Sequence, residues 1–399
     1  MRERALRALL VDPSLFTAPY DAALTRGLLD AGVEPLWAVR PLRRGDRQEI
    51  DAAYVDAFFY KRSDGADWLP SSLRAIAKGL AHVLGLARLV QRVRALSPEV
   101  VHFQWTVLPI LDALAILVVR RSCPVVVTVH DTQPFNGERL SLLQNFAFDL
   151  PIKLADRVIV HTHAGRARLV QRGLGPDKIA VVAHGPLPLS TPLGAPVKRA
   201  RDARFTFVLF GEIKPYKGLD ILVEALALLP EALRTEARVV VAGRPRMDLQ
   251  PIVSRLAELG LEQVVELRAQ RLSEQEMAEL FSSADCFVFP YRQIDASGVY
   301  YLVKGLARWI IASDLGVFAE DVVHGAAGAL VAPESPEALA DAMAFAIRER
   351  PQRKASEREL GWSEIGRATR SVYEAAWRAR SAPPPAVART QASGEPRRR

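Results

Sequence analysis

The chain has 399 residues, 49% of them hydrophobic and 25% charged, with a formal net charge of +8. This balance excludes a disordered or fibrous protein and predicts two globular domains, each long enough to bury a core. Only two cysteines occur, Cys123 and Cys286, both inside apolar runs. That excludes a disulfide framework or a cysteine metal site and points to a reducing, cytoplasmic compartment.

The first residues, MRERALRALLVDPS, are basic and then apolar, but the apolar run is too short for a signal peptide and leads straight into a strand. Strand Ala5 to Val11, loop Asp12 to Tyr20, helix Asp21 to Ala31 stopped by Gly32, and strand Glu34 to Val39 make a βαβ unit, which implies a parallel sheet. A further strand is expected at Ala53 to Tyr60. Leu73 to Leu96 reads as a long helix with an apolar side and a basic side carrying Arg74, Lys78, Arg88, Arg92 and Arg94. That basic side is either a solvated face or a surface for anionic lipid. The apolar helix Leu108 to Arg120 carries Asp112 and is too short to span a membrane.

Strands Glu99 to Phe103 and Val125 to Val129 follow. The second ends at His130 and Asp131, where ligands collect in open α/β sheets. His130, beside Asp131 and Asn136 in a polar loop, is either functional or a histidine hydrogen-bonding within that loop. Helix Leu140 to Leu154, strand Arg157 to His161, helix Ala164 to Arg172 and strand Ile179 to Ala183 complete a first domain, residues 1–190. Residues 191–204 read as the interdomain linker.

The second half, residues 205–362, repeats the alternation. Strand Phe205 to Phe210 leads through GEIKPYKG into helix Leu219 to Ala232. Lys214 and Lys217 sit where that helix begins, and helix N-termini favour anions. The pair is either solvated charge or a phosphate site. Strands are expected at Ala237 to Ala242, Val264 to Leu267, Cys286 to Phe289, Trp309 to Ala312 and Ala329 to Val331. Between them lie helices, one opened by the capping box Ser273 and Glu276. A helix over 363–380 comes last, and the Pro-, Ala- and Arg-rich stretch 381–399 is expected to be disordered. The basic residues do not interleave with aromatics, so nucleic acid is not an expected partner.

The ordered series VVVTVHD, VVAHG, GEIKPYKGLDILVEAL, ADCFVFPY, DASGVYYLVKG and GWSEIGRATRSVYEAAW resembles a retaining glycosyltransferase of family 4 over about residues 5 to 380. The resemblance implies a GT-B fold: two Rossmann-like doubly wound domains facing across a cleft, with helix 363–380 crossing back to the first. It implies transfer of a sugar from a nucleoside-diphosphate sugar, UDP- or GDP-linked, with retention at the anomeric carbon. The acceptor would be a cell-surface polysaccharide, a lipid-linked sugar or another carbohydrate, met in the cytoplasm or on the inner face of an anionic membrane. Carried onto this chain, the donor would be bound by Gly211, Lys214, Lys217, Ser297, Gly298 and Val299. The catalytic residues would be His130, Lys217 and Asp295, with no cofactor and no metal. The chain departs from the family at Glu212, where an arginine is usual, and at Leu302, where the second of two glutamates is usual. Loop 12–20 stands where a Gly-Gly pair is usual, so Tyr20 and Asp21 either shape the acceptor pocket or form a turn. A nucleotide-sugar epimerase, a phosphorylase-like protein and a non-catalytic nucleotide-sugar binder are the alternatives on the same fold.

Overall fold

The computed structural model describes residues 5–61, 70–132, 142–189, 191, 193, 204–306, 308–322, 324–353 and 360–381. Asn136, most of the expected linker and the 382–399 tail lie outside the described residues. The strands form two parallel sheets. The first contains β1 (Leu6–Asp12), β2 (Val33–Val39), β3 (Val55–Ala57), β4 (Val100–Phe103), β5 (Val125–Val129), β6 (Arg157–Val160) and β7 (Ile179–Val181). Their order is β3-β2-β1-β4-β5-β6-β7. The second contains β8 (Phe205–Phe210), β9 (Ala237–Ala242), β10 (Val265–Arg268), β11 (Cys286–Phe289), β12 (Trp309–Ser313) and β13 (Gly328–Val331), in the order β10-β9-β8-β11-β12-β13. The chain reverses its direction of winding beside β1 in one sheet and beside β8 in the other, so each sheet has a crevice at its carboxyl edge. The fold class expected from the sequence therefore stands. Strands such as VVVTV and ARVVVA are near-continuous apolar runs because helices cover both faces of a parallel sheet.

Helices α1 (Ala18–Asp30), α2 (Ser71–Leu96), α3 (Pro109–Val119), α4 (Leu142–Leu154) and α5 (His163–Gln171) belong to the first domain. Helices α6 (Leu219–Leu228), α7 (Glu231–Glu236), α8 (Gln250–Glu258), α9 (Glu274–Ser283), α10 (Gly298–Lys304), α11 (Gly316–Asp321) and α12 (Pro336–Glu349) belong to the second. The single helix expected over 219–232 is two, because Pro230 forces Leu229 into extended backbone (ψ 139°) and cuts the helix. Helix α1 starts three residues earlier than expected, since Pro19 is accepted in a first turn. The strand expected over 53–60 shrinks to β3 after a 3₁₀ turn at Ala52–Tyr54. Ser273 and Glu276 do form a capping box on α9.

Helix α2 departs most from expectation. Its inner stripe, Leu86, Leu89 and Val93, is buried against the sheet, but Leu73, Ile76, Leu80 and Leu84 are exposed. Apolar residues therefore line the outer side of its N-terminal half and the inner side of its C-terminal half. A buried hydrogen-bonded row fixes α2 against α3: the Tyr60 hydroxyl lies 2.7 Å from His82 Nδ1, and His82 Nε2 lies 2.8 Å from Asp112 Oδ1. Asp112 Oδ2 accepts from the backbone N–H of Val107 and Leu108, capping α3.

The last helix, α13 (Trp362–Ser381), crosses back and lies along α1. The two backbones nearly touch. A Cβ on Gly366 would fall 1.9 Å from Gly27 O, and one on Gly27 would fall 2.0 Å from Trp362 O. Ile365, Val372, Tyr373 and Ala376 then join Leu24, Leu28 and Trp37 in one core of the first domain.

Candidate functional site

On the second domain the site is built where β8 ends. Gly211 has φ 95° and leaves no room for a side chain: a Cβ there would lie 2.8 Å from Lys217 Nζ and 2.8 Å from Val299 Cγ2. The ammonium of Lys217, the bare backbone of Gly211 and the start of α10 thus converge on one point. Lys217 is 4% exposed, and its Nζ donates to Phe210 O at 2.9 Å. Burial, with the neighbouring charge of Lys214, pushes its pKa down to about 7, partly offset by Glu212.

Glu212 sits between two cations, Arg246 at 2.7 Å and Lys214 at 3.5 Å. Partial burial works to raise its pKa, but Arg246 and Lys214 hold it below the usual range. Arg246 reaches this place because the loop after β9 is zipped to the loop after β8: Ile213 N–H donates to Arg244 O and Arg246 N–H to Ile213 O. Ser297 caps α10, its hydroxyl accepting from Tyr300 N–H at 3.2 Å, and it also hydrogen-bonds Tyr291. Gly298 is exposed at the mouth of that turn.

On the first domain four of the seven histidines gather at the carboxyl ends of the strands. His161 Nδ1 donates to Val182 O at 2.9 Å, since a carbonyl can only accept. Its Nε2 therefore accepts from His130 Nδ1–H at 3.0 Å. The other ring nitrogen of His130, Nε2, lies 3.0 Å from Gln104 Oε1. His102 lies beyond, between the hydroxyls of Thr128 at 2.7 Å and Tyr373 at 2.8 Å. Burial pushes His102 down to about 3 and His161 to about 4, and drives His130 and His184 well below the ordinary imidazole range, so the rings are neutral. Trp105 stacks on His130 (5.0 Å, 12°), and Tyr20 meets His130, His161, His184 and Trp362.

Beside this cluster two carboxyls are buried together. Burial raises Asp12 and raises Asp21 much further, with the Asp12 charge adding to the latter, so the hydrogen-bonded pair holds one proton. The Asp12 and Asp21 side chains anchor loop 12–20 through Thr17, whose hydroxyl accepts from Trp105 Nε1 at 3.0 Å. Tyr20 and Asp21 are therefore inside the wall of the site. A cavity of about 230 Å³ opens on the other side of that loop, lined by Leu15, Val39, Arg40, Ile50 and Val55 among others. Arg40 in its wall is paired with Asp46 at 2.5 Å, and Arg47 at its rim with Glu274 of α9 at 2.9 Å.

The two halves meet at Asp295. Its Oδ2 accepts from Thr132 N–H (2.5 Å) and from the Thr132 hydroxyl, and Arg168 of α5 pairs with its other oxygen. Glu320 of α11 accepts from the N–H groups of His163 and Ala164 at 2.8 Å, at the first turn of α5. His184 stacks on Tyr301 at 3.6 Å. Of the residues singled out in the sequence, Gly211, Lys217 and Val299 are in contact around one point and Lys214 borders it through Glu212. Ser297 serves as a helix cap. His130 and Asp295 lie on or across the domain boundary with their polar atoms bonded to protein partners. The sequence reading missed Arg246, Gln104, His161, His184, Thr132 and Arg168. Position was the available signal for Gln104, His161 and Arg246, each of which lies within four residues of the end of a strand neighbouring one already marked.

The family described as Glycosyltransferase Family 4 matches residues 21–185, and that described as Glycosyl transferases group 1 matches residues 204–349. A D-inositol 3-phosphate glycosyltransferase of Kineococcus radiotolerans is 30% identical over 261 residues, which cover 58% of this chain and 60% of that one. A D-inositol 3-phosphate glycosyltransferase of Thermomonospora curvata is 28% identical over 250 residues, covering 56% and 57%. The match thus spans less than two thirds of the length of these relatives. Anabaena HepE, solved in complex with UDP and glucose, superposes with a TM-score of 0.62 over 94% of this chain and 99% of its own at 18% identity. Sucrose-phosphate synthase of Thermosynechococcus elongatus does so at 0.61, covering 94% and 96% at 16% identity. Those likenesses establish the GT-B architecture. With one family matched on each domain, in the order the two sheets occur, the chain belongs to glycosyltransferase family 4.

Proposed function

We propose that the protein is a sugar transferase that takes a hexose from a nucleoside-diphosphate sugar and passes it to a carbohydrate or lipid-linked acceptor with retention of configuration. The observation that carries the reading is the buried Lys217 ammonium beneath Gly211 and beside the opening turn of α10. A lysine desolvated to a pKa of about 7 is an unfavourable feature that an incoming diphosphate would relieve. As the sugar–phosphate bond breaks, negative charge grows on the leaving oxygen. A cation in a low-dielectric site opposes that growth more strongly than one in water. The reading takes the positive charge from Lys217, Lys214 and Arg246 and assigns no metal. His130 and Asp295 receive positioning roles, because protein groups already satisfy their polar atoms.

A UDP-linked donor is supported by the UDP and glucose held by HepE. For the acceptor we favour the cavity beside loop 12–20. The relatives are named for a phosphorylated inositol, whereas Arg40 and Arg47 here are already paired with carboxylates. An acceptor that is largely uncharged where it enters this apolar pocket fits better than a phosphate.

The test is release of nucleoside diphosphate from a panel of UDP- and GDP-sugars. Turnover is expected with a UDP-sugar, and Lys217→Met should lower kcat by about 100-fold or more. Clear donor binding with no turnover on any donor and acceptor would defeat the enzyme reading and leave a binder.

A further inference from the structure

We propose that the exposed face shared by α2 and α3 seats the protein on an anionic lipid surface. Leu73, Ile76, Leu80 and Leu84 of α2 are 51%, 60%, 62% and 61% exposed, and Ile110 and Leu114 of α3 are 50% and 55% exposed. At 100° per residue the four α2 positions fall within one narrow stripe on the side opposite Leu86, Leu89 and Val93. The row Tyr60–His82–Asp112 fixes the two helices side by side. The six side chains therefore belong to one rigid two-helix face and are not loosely held termini. Monomeric soluble proteins rarely leave so many large apolar side chains together in water.

Charge decides what covers the face. The 26 residues of α2 contain five cations and not one carboxylate. At the same 100° per residue, Arg88 and Arg74 fall just beyond Leu84 on one edge of the apolar stripe. Asp112, the acidic residue of α3, is buried and paired with His82. A protein partner would ordinarily meet such a face with complementary carboxylates set in an apolar surface of matching shape. A lipid surface supplies negative headgroups above hydrocarbon without any such match, which suits apolar side chains edged by cations.

Orientation agrees. α2 runs from the carboxyl edge of β3 to the start of β4, and α3 starts just after β4, so the apolar half of α2 and the first turns of α3 lie at the cleft end of the first domain. No helix among the described residues is long and apolar enough to cross a membrane, so the contact is a face laid on the surface. It stands whether or not the chain transfers sugar.

The experiment is flotation of the full chain with vesicles of phosphatidylcholine, with and without phosphatidylglycerol, alongside nucleotide-sugar turnover in solution. Binding is expected only to the vesicles containing phosphatidylglycerol, and should weaken as salt rises. The double variant Leu80→Glu, Leu114→Glu should weaken partitioning by about 100-fold, about ten-fold per buried carboxylate, while solution turnover stays at the wild-type level. Leu80→Trp, which adds no charge, should report a blue-shifted emission with the anionic vesicles alone. The proposal is overturned if the wild type stays unbound at low salt, or if the double variant floats as well as the wild type. It is also overturned if sedimentation shows a dimer, lost in the double variant, in a chain that ignores vesicles, because the face would then belong to a second copy.

Discussion

Lys217 holds its charge in surroundings that resist it. Its pKa of about 7 means that the empty site sheds its ammonium as pH rises past neutrality, whereas a solvated lysine would keep it. Diphosphate binding needs the charged form. UDP affinity should therefore be steady below about pH 6.5 and weaken above it, approaching ten-fold per unit, when followed by calorimetric titration. Lys217→Met should bind weakly and without that slope. A wild-type affinity that is flat to about pH 9 would remove Lys217 from the diphosphate site. Asp21 poses the opposite case, a carboxyl that folding keeps protonated. Because its folded pKa lies above the unfolded value, its contribution to stability is full below about pH 3.8 and is lost as pH rises through the folded value. Asp21→Asn supplies a permanent N–H donor to Asp12, so the variant should be about 1 kcal/mol more stable than wild type at pH 8 in urea unfolding. A less stable variant there would mean that the pair does not share a proton. Lys217 was legible in the sequence because its lysine pair directly precedes a helix. Asp21 was not legible as half of a pair, since its partner lies at the end of a different element.

Periodicity made most elements legible, and it misled where one helix has two apolar sides. In α2 the residues 73, 76, 80 and 84 and the residues 86, 89 and 93 form separate stripes that a linear reading merges into one core face. The break between α6 and α7 was written in Pro230, but the apolar pattern ran through it. The crossing of α1 and α13 was invisible for another reason. A glycine in a helix reads as a weak spot until its neighbour is known, and that neighbour is more than three hundred residues away. Gly366→Val should force the two backbones apart and cost about 3 kcal/mol, seen as a fall in Tm of several degrees. Gly79→Ala is the matched control: nothing lies within 4 Å of the added Cβ, so stability should hold or rise slightly. Equal behaviour of the two variants would show that the α1–α13 approach is not tight in solution.

Across the whole molecule, buried contacts at Asp295 and His184 and exposed ones at Glu320 and Arg47 tie the two sheets together. Asp295 grips Thr132 and Arg168, Glu320 caps α5, Arg47 reaches Glu274, and His184 lies flat on Tyr301. Removing one partner from a buried ion pair costs about 3 kcal/mol, enough to turn a mainly closed population into a mainly open one. Asp295→Ala should therefore raise the radius of gyration in small-angle scattering, and saturating UDP should bring it back toward the wild-type value. Unchanged scattering would show that closure does not depend on this residue. The sequence announced two domains and a cleft through its βα alternation. It could not announce which residues bridge the cleft, because every bridging pair joins segments distant along the chain.

The return of α13 to α1 also sets an order of assembly. A ribosome releases the first domain first, yet the groove over Gly27 stays open, and His102 lacks its Tyr373 hydroxyl, until the last helix has emerged. The apolar core of the second domain is drawn from β8 to α12, which end at Glu349. The domain translated second is thus the first able to finish its core, and the one translated first must wait, unsealed, until its own far terminus arrives.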